Sequence, residues 1–333
     1  MQAQALANTL WAVSKLDVDY HAFVDALLSE ARPKLSTFTN QELSNTAYAV
    51  AKLGRKNMTF MSALLDTAST KLSSFNAQDL ANIVWAIAKM GHRNKVFVSL
   101  LLVEAKPKLS SFTDQALVNV AGALATMGYE DAAFMGALLV VAKTKLPTFD
   151  ARNLSNTVWA LATLGFKDAA FMDAVLVAAV TKLPSFTTQA LANTAWALAT
   201  VGYYNAAFMG ALLVVAKTKL PTFDAQNISN TAWALATLGH RDAAFMGALL
   251  VAAVSELPSF EAQNLSNTAW ALATLDYNDA VFIGALLVAA KPKLPSFTIA
   301  AVIQMDIALT KFNVEDAEFR RALEARRAQL GRG

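Results

Sequence analysis

Amides, indoles and ammonium groups recur along this 333-residue chain at one fixed spacing. Asparagine stands at Asn8, Asn45, Asn82, Asn119, Asn156, Asn193, Asn230 and Asn267, always 37 residues apart. Glutamine precedes it by four positions at Gln41, Gln78, Gln115, Gln189, Gln226 and Gln263. An aromatic follows it by three at Trp11, Tyr48, Trp85, Trp159, Trp196, Trp233 and Trp270, with Gly122 in the remaining copy. Carboxamides donate and accept hydrogen bonds, and an indole offers a flat stacking face. Contacts to the sugar–phosphate backbone of a single strand should be the same in every repeat, while contacts to its bases should differ. The same residues also have a structural explanation. The amides could bridge neighbouring helices as an internal ladder, and the tryptophans could be core. Glycine at position 122 would then leave a costly cavity, a loss easier to bear on a partly open face.

A second row is cationic: Lys34, Lys71, Lys108, Lys145, Lys182, Lys219 and Lys293, interrupted by Glu256. Lysine near a helix C-terminus is favoured by the helix dipole, which explains the row without any ligand. Stacked repeats would still align it into a positive edge, thickened by Arg32, Lys106, Lys143, Lys217 and Lys291, and such an edge attracts phosphate. Beside the polar arc runs a variable column, Glu42, Asp79, Ala116, Asn153, Ala190, Asn227 and Asn264. Its acid- and amide-bearing members, Glu42, Asp79, Asn153, Asn227 and Asn264, make it the candidate base-discriminating position.

Each 37-residue copy reads as two helices. In the copy beginning at Thr187, Leu191, Ala195, Leu198 and Ala199 gather on one side of the first helix. Gln189, Asn193, Trp196 and Thr200 occupy a different arc roughly 60° wide. The repeating Phe before each helix and the leucine five residues on form a hydrophobic staple, and Glu42 and Asp79 stand at the third helical position, where a carboxylate is favoured. Gly54, Gly91, Gly128, Gly165, Gly202 and Gly239 are placed for left-handed caps. The second helix opens at Asn57, Asn94, Asp131, Asp168, Asn205, Asp242 or Asp279, all good N-caps, and closes before a proline-bearing turn.

Hairpins this apolar cannot bury their own faces, and stacked neighbours can. The expected fold is therefore all-α: a right-handed, armadillo-like α-solenoid superhelix forming one domain over 1–333. Its eight copies run over about 1–38, 39–75, 76–112, 113–149, 150–186, 187–223, 224–260 and 261–297, followed by a degenerate capping repeat, 298–333, with Gln304 in the asparagine column.

Composition narrows the function. Without cysteine there is neither a disulfide nor a thiolate metal site. The net charge of +3 leans toward an anionic partner. Apolar residues reach 55%, yet runs such as "AVFIGALLVAA" (280–290) fall well short of a membrane span and read as helices buried on nearly all sides within protein. No membrane partner, small-molecule substrate, metal or cofactor is expected. No signal or transit peptide is visible, because Met1 falls directly at a helix start. Of the three histidines, His92 and His240 lie in one column four copies apart and cannot converge, and His21 has no evident partner. Asp25 and Asp173 are isolated replacements of small residues, and no phosphate-binding glycine loop occurs. These features argue against an enzyme. The rival to a nucleic-acid strand is an extended peptide held by Asn and Trp rows as on armadillo proteins; here the lysine edge would select an acidic peptide. A structural subunit of a large assembly is a third reading.

Repeats of the form "LANTAWALATVG" followed by "NAAFMGALLV" resemble the octotricopeptide and heptatricopeptide repeat proteins of algal, apicomplexan and dinoflagellate organelles. They are also similar to the helical region of FAST-kinase-like RAP proteins and of RNA-editing substrate-binding complex proteins. The 37-residue period matches the heptatricopeptide length. The resemblance implies an RNA-binding solenoid in a mitochondrion or plastid, acting on transcript stability, processing, translation or ribosomal RNA assembly. It also implies organellar ribonucleoprotein subunits as partners. Many relatives end in a RAP domain; this chain ends in the basic segment "FRRALEARRAQLGRG", so nothing nuclease-like carries over.

Overall fold

The computed structural model describes residues 1–16, 20–92 and 94–331; Arg332 and Gly333, the end of the basic segment, lie outside them. The described residues form eighteen α-helices joined by short turns, with no strand among them. Backbone packing divides the chain into two units, Met1–Phe149 and Asp150–Gly333, and the division falls between two copies of the repeat.

The first unit holds four hairpins. They are α1 (Ala3–Val13) with α2 (His21–Ala31), α3 (Asn40–Lys52) with α4 (Met58–Ser69), α5 (Ala77–Met90) with α6 (Lys95–Ala105), and α7 (Asp114–Met127) with α8 (Ala132–Lys145). The second holds five: α9 (Ala151–Thr163) with α10 (Ala169–Val180), α11 (Thr188–Val201) with α12 (Ala206–Lys219), α13 (Ala225–Thr237) with α14 (Ala243–Glu256), α15 (Ala262–Thr274) with α16 (Ala280–Ala290), and α17 (Ile299–Lys311) with α18 (Ala317–Leu330). Within each unit every first helix packs along the first helix of the next hairpin, the serial stacking of an α-solenoid.

The local chemistry sets these boundaries. Thr39 accepts from the Glu42 backbone N–H while Glu42 accepts from that of Thr39, a reciprocal capping box, and Asn76 with Asp79 repeats it. Every second helix from α4 to α18 begins at an Asn or Asp whose side chain accepts the N–H of the Phe three residues on. After the first helices the chain turns through a left-handed residue. That column is glycine up to Gly239, and then Asp276 (φ 57°) and Asn313 (φ 50°) take it, both residues that tolerate the conformation. The turns closing the second helices are 3-10, with Pro33, Pro107, Pro147, Pro184, Pro221, Pro258 and Pro292 in their first positions, where no N–H is needed.

Each hairpin is pinned by its phenylalanine. Phe38, Phe75 and Phe112 in the first unit, and Phe186, Phe260 and Phe297 in the second, are at most 1% exposed. The second helices correct one expectation. They are not buried on nearly all sides: Val103, Val140, Val177, Val214, Val251 and Val288 are 65–77% exposed. Hairpins stacked in a single layer give each second helix neighbours on its flanks and inner side only, so its outer row meets solvent whatever its composition. No helix among the described residues is long and apolar enough to cross a membrane.

Candidate nucleic-acid interface

The recurring amides and aromatics lie along the first helices at i, i+4, i+7 and i+11, which an α-helix brings onto one side. On α3 the stripe is Gln41, Asn45, Tyr48 and Lys52; on α5, Gln78, Asn82, Trp85 and Lys89; on α7, Gln115, Asn119, Gly122 and Thr126. In the second unit it is Arg152, Asn156, Trp159 and Thr163 on α9, then Gln189, Asn193, Trp196 and Thr200 on α11. Gln226, Asn230, Trp233 and Thr237 follow on α13, and Gln263, Asn267, Trp270 and Thr274 on α15. All six glutamines are exposed. Asn45 through Asn267 and Trp85 through Trp270 are half-buried, while Asn8 and Trp11 stand fully out, Trp11 at 43%. The rest of each first helix is packed: on α11, Leu191, Ala192, Thr194, Ala195, Ala197, Leu198, Ala199 and Val201 are buried.

The stripe is therefore the solvent side of the first helices, and among the described residues its amides form no ladder between repeats. In the first unit Gln78 donates to Asn82 at 2.8 Å and Gln115 to Asn119 at 2.7 Å, both within one helix. In the second unit, among the described residues, the side chains of Asn156, Asn193, Asn230 and Asn267 make no hydrogen bond. Half-exposed carboxamides without a protein partner keep their full donor and acceptor capacity for something in solution. A groove of about 470 Å³ runs over these helices, lined by Asn156, Trp159, Gln189, Asn193, Trp196, Gln226, Asn230 and Gln263. A second hollow, about 740 Å³, adds Arg152, Ser155, Ser185 and Thr187 at the helix starts of the same unit.

Two other rows are placed differently from what their spacing implied. The variable column, expected at an exposed position, is buried or half-buried. Asp79, Asn153 and Asn227 are only 4%, 6% and 4% exposed, and Glu42 and Asn264 are half-buried. These side chains sit at the crevice between adjacent first helices. Glu42, Asp79 and Asn264 accept the N–H of the residue that caps their own helix. Asp79 also accepts from Ser44 of the preceding repeat at 2.7 Å, and Asn264 donates to Ser229 at 2.9 Å.

The lysine row is half-buried and points back at the preceding turn. Lys71 Nζ donates to the carbonyls of Phe38 (2.7 Å) and Ser36 (3.3 Å), and Lys108 to those of Phe75 (2.7 Å) and Ser73 (2.9 Å). Lys145 bonds the Phe112 carbonyl, Lys219 those of Phe186 and Pro184, and Lys293 those of Phe260 and Pro258. Lys34 instead pairs with Glu30 and the Met1 carbonyl. The row keeps its charge, but it is a set of clamps between successive hairpins before it is an edge for phosphate. Outside it, Lys106, Lys143 and Lys217 are exposed, and Lys291 pairs with Asp316 at 3.1 Å.

Polar residues that looked isolated in the sequence also acquire structural partners. Arg55 bonds Asp25, Ser62 meets His92 at 3.2 Å, and Tyr203 bonds Asp173, each joining a second helix to the loop after its neighbour's first helix. The Asp173 carboxylate accepting from Tyr203 pushes that phenol up to about 12. At Gly247, in the column of Asp173, the hydroxyl of Tyr277 lies 3.0 Å from where a Cβ would stand.

Spacing places Lys15, Lys52 and Lys89 at the last position of the polar arc in the first unit without marking them as candidate contacts, and it passes over Arg152, which takes the glutamine position on α9. All four are exposed. The signal was present as a column that changes from lysine to threonine after Lys89. The aromatic column differs between units too. Tyr48 and Trp85 lie ring against ring, centroids 4.7 Å apart, and Lys15 Nζ sits 4.7 Å from the Trp11 ring and 5.4 Å from that of Tyr48. In the second unit no two tryptophans are in ring contact among the described residues.

Comparison with known proteins adds a family. The model of the Tbc2 translation factor, N-terminal domain, matches residues 3–203. No curated protein matches the chain. Among the structures, a chain of a homology model of the full-length AP-3 complex in an intermediate open conformation aligns with all of this chain and 73% of its own length, at 9% identity and a TM-score of 0.33.

Proposed function

Since the chain belongs to the family of the Tbc2 translation factor N-terminal domain, we propose that it serves translation by binding single-stranded RNA along the amide and indole stripes of its first helices. One observation carries this reading: Gln, Asn and Trp recur in register on the solvent side of successive helices, with the asparagine amides of the second unit unbonded to protein. A repeated ligand is what a repeated, unsatisfied donor–acceptor set can recognise, and RNA offers a repeated backbone together with bases whose faces stack on indoles. The organellar setting, mitochondrion or plastid, and the octotricopeptide or heptatricopeptide affiliation rest on the resemblance of the repeats to those families. On this reading the protein is not an enzyme, uses no cofactor, and acts with ribonucleoprotein partners on transcripts.

Fluorescence anisotropy with a labelled single-stranded RNA tests it. The wild-type chain should bind, and N193A/W196A/N230A/W233A should lose most of that affinity with its helical circular dichroism intact. An armadillo-type scaffold would instead capture acidic peptides on the same stripe and leave RNA free, and that outcome overturns the proposal.

A further inference from the structure

The last position of the stripe divides the two units by charge. In the first unit it is Lys15, Lys52, Lys89 and then Thr126; in the second, Thr163, Thr200, Thr237 and Thr274. Lysine at a helix C-terminus is favoured by the dipole, but the helices of both units end the same way, so the dipole does not explain why only one unit carries lysine. Threonine is neutral there, and Thr200 donates to the Trp196 carbonyl of its own helix at 2.9 Å. The ninth hairpin does return to lysine, yet Lys311 is paired with Asp276 at 2.5 Å. Lys15, Lys52 and Lys89 are exposed, and none pairs with an acid among the described residues. The imbalance extends to the units as wholes: 14 Lys and Arg against 11 Asp and Glu in residues 1–149, and 14 against 14 in residues 150–333.

The aromatic column changes in step with the charge. Beside the lysines the rings are already occupied, Tyr48 by Trp85 and Trp11 by the ammonium of Lys15, which leaves less open ring face for a base. Beside the threonines the indoles stand apart. We infer that Lys15, Lys52 and Lys89 form a phosphate clamp, a subsite for the charged backbone of a polyanionic strand, whereas the stripe of the second unit engages its ligand through neutral amide and stacking contacts. In the form that concerns RNA, this inference rests on the function proposed above.

Two probes separate the inference from that function: single-stranded oligouridylate, and inorganic polyphosphate, which has the charge but no bases. Binding of each is measured across a salt series for the wild type, for K15Q/K52Q/K89Q, and for T163K/T200K/T237K. Each phosphate contact on a flexible strand contributes about 0.7 to the slope of log affinity against log salt. The triple glutamine variant should lose about 2 from that slope, and the triple lysine variant should gain a comparable amount. A glutamine variant that keeps the wild-type slope on polyphosphate overturns the clamp, whatever RNA does. Polyphosphate binding that depends on the three lysines, in a protein that ignores oligouridylate, upholds the clamp and overturns the RNA reading instead. The lysine variant guards against a misfolded glutamine variant, since it scores a gain.

Discussion

The first unit carries Trp11, Tyr48, Trp85 and Gly122 in its aromatic column and ends three of its four stripes in lysine; the second carries four tryptophans and ends theirs in threonine. Caps, staples, buried phenylalanines and inter-repeat clamps are shared by both. The scaffold therefore depends on positions that do not vary, and the surface chemistry on two columns that can vary without touching a packed residue.

The largest test of that separation is on the scaffold. Phe75→Ala and Phe186→Ala each remove a buried aromatic, and each should cost about 3–5 kcal/mol in urea unfolding. A much smaller cost in one unit would mean the two scaffolds are not equivalent. Next comes the stripe. Trp196→Ala should weaken RNA binding by about 1–3 kcal/mol, the worth of one stacked base, whereas Tyr48→Ala, whose ring already lies against Trp85, should cost measurably less. Equal losses by anisotropy would erase the distinction between occupied and open rings.

The clamps give smaller effects. Lys219→Ala leaves the carbonyls of Phe186 and Pro184 without their donor and should destabilise by about 1–2 kcal/mol. Glu256 interrupts the same row, so Glu256→Lys should gain roughly 1 kcal/mol by supplying a donor to the equivalent turn around Phe223. Thermal unfolding reads both, and a destabilised lysine variant would refute the clamp as a general device. The smallest effect is alkaline. Tyr203 is held protonated to about 12 by its bond to Asp173. A raised folded value means that its contribution is present below the ordinary phenol range and is lost as pH rises through about 12. Ultraviolet titration should show a late-ionising tyrosine in the wild type that Tyr203→Phe removes. The equivalent positions of the first unit are Arg55, His92 and Tyr129, and the position that faces Tyr129 as Asp173 faces Tyr203 is Ser99.

Much of this architecture was legible in the residues, because it depends on short-range chemistry. The Asn and Asp caps, the phenylalanine staple, the left-handed glycines and the 37-residue period are local or repeated locally, and the helices begin and end where those signals place them. The stripe was half legible. Helical geometry put Gln189, Asn193, Trp196 and Thr200 on one arc, but an arc has no intrinsic side toward water; a neighbouring helix could have covered it.

What the chain alone determined is thus its period, its caps and the grouping of residues on each helix face, since these need only bonded geometry and contacts a few residues apart. Tertiary structure decided the rest. It buried Asp79 and Asn227 against adjacent helices, turned Lys71 and Lys219 toward carbonyls more than thirty residues back, and left Val214 and Val251 in solvent. Each of those outcomes depends on where a neighbouring repeat lies, which no single repeat encodes.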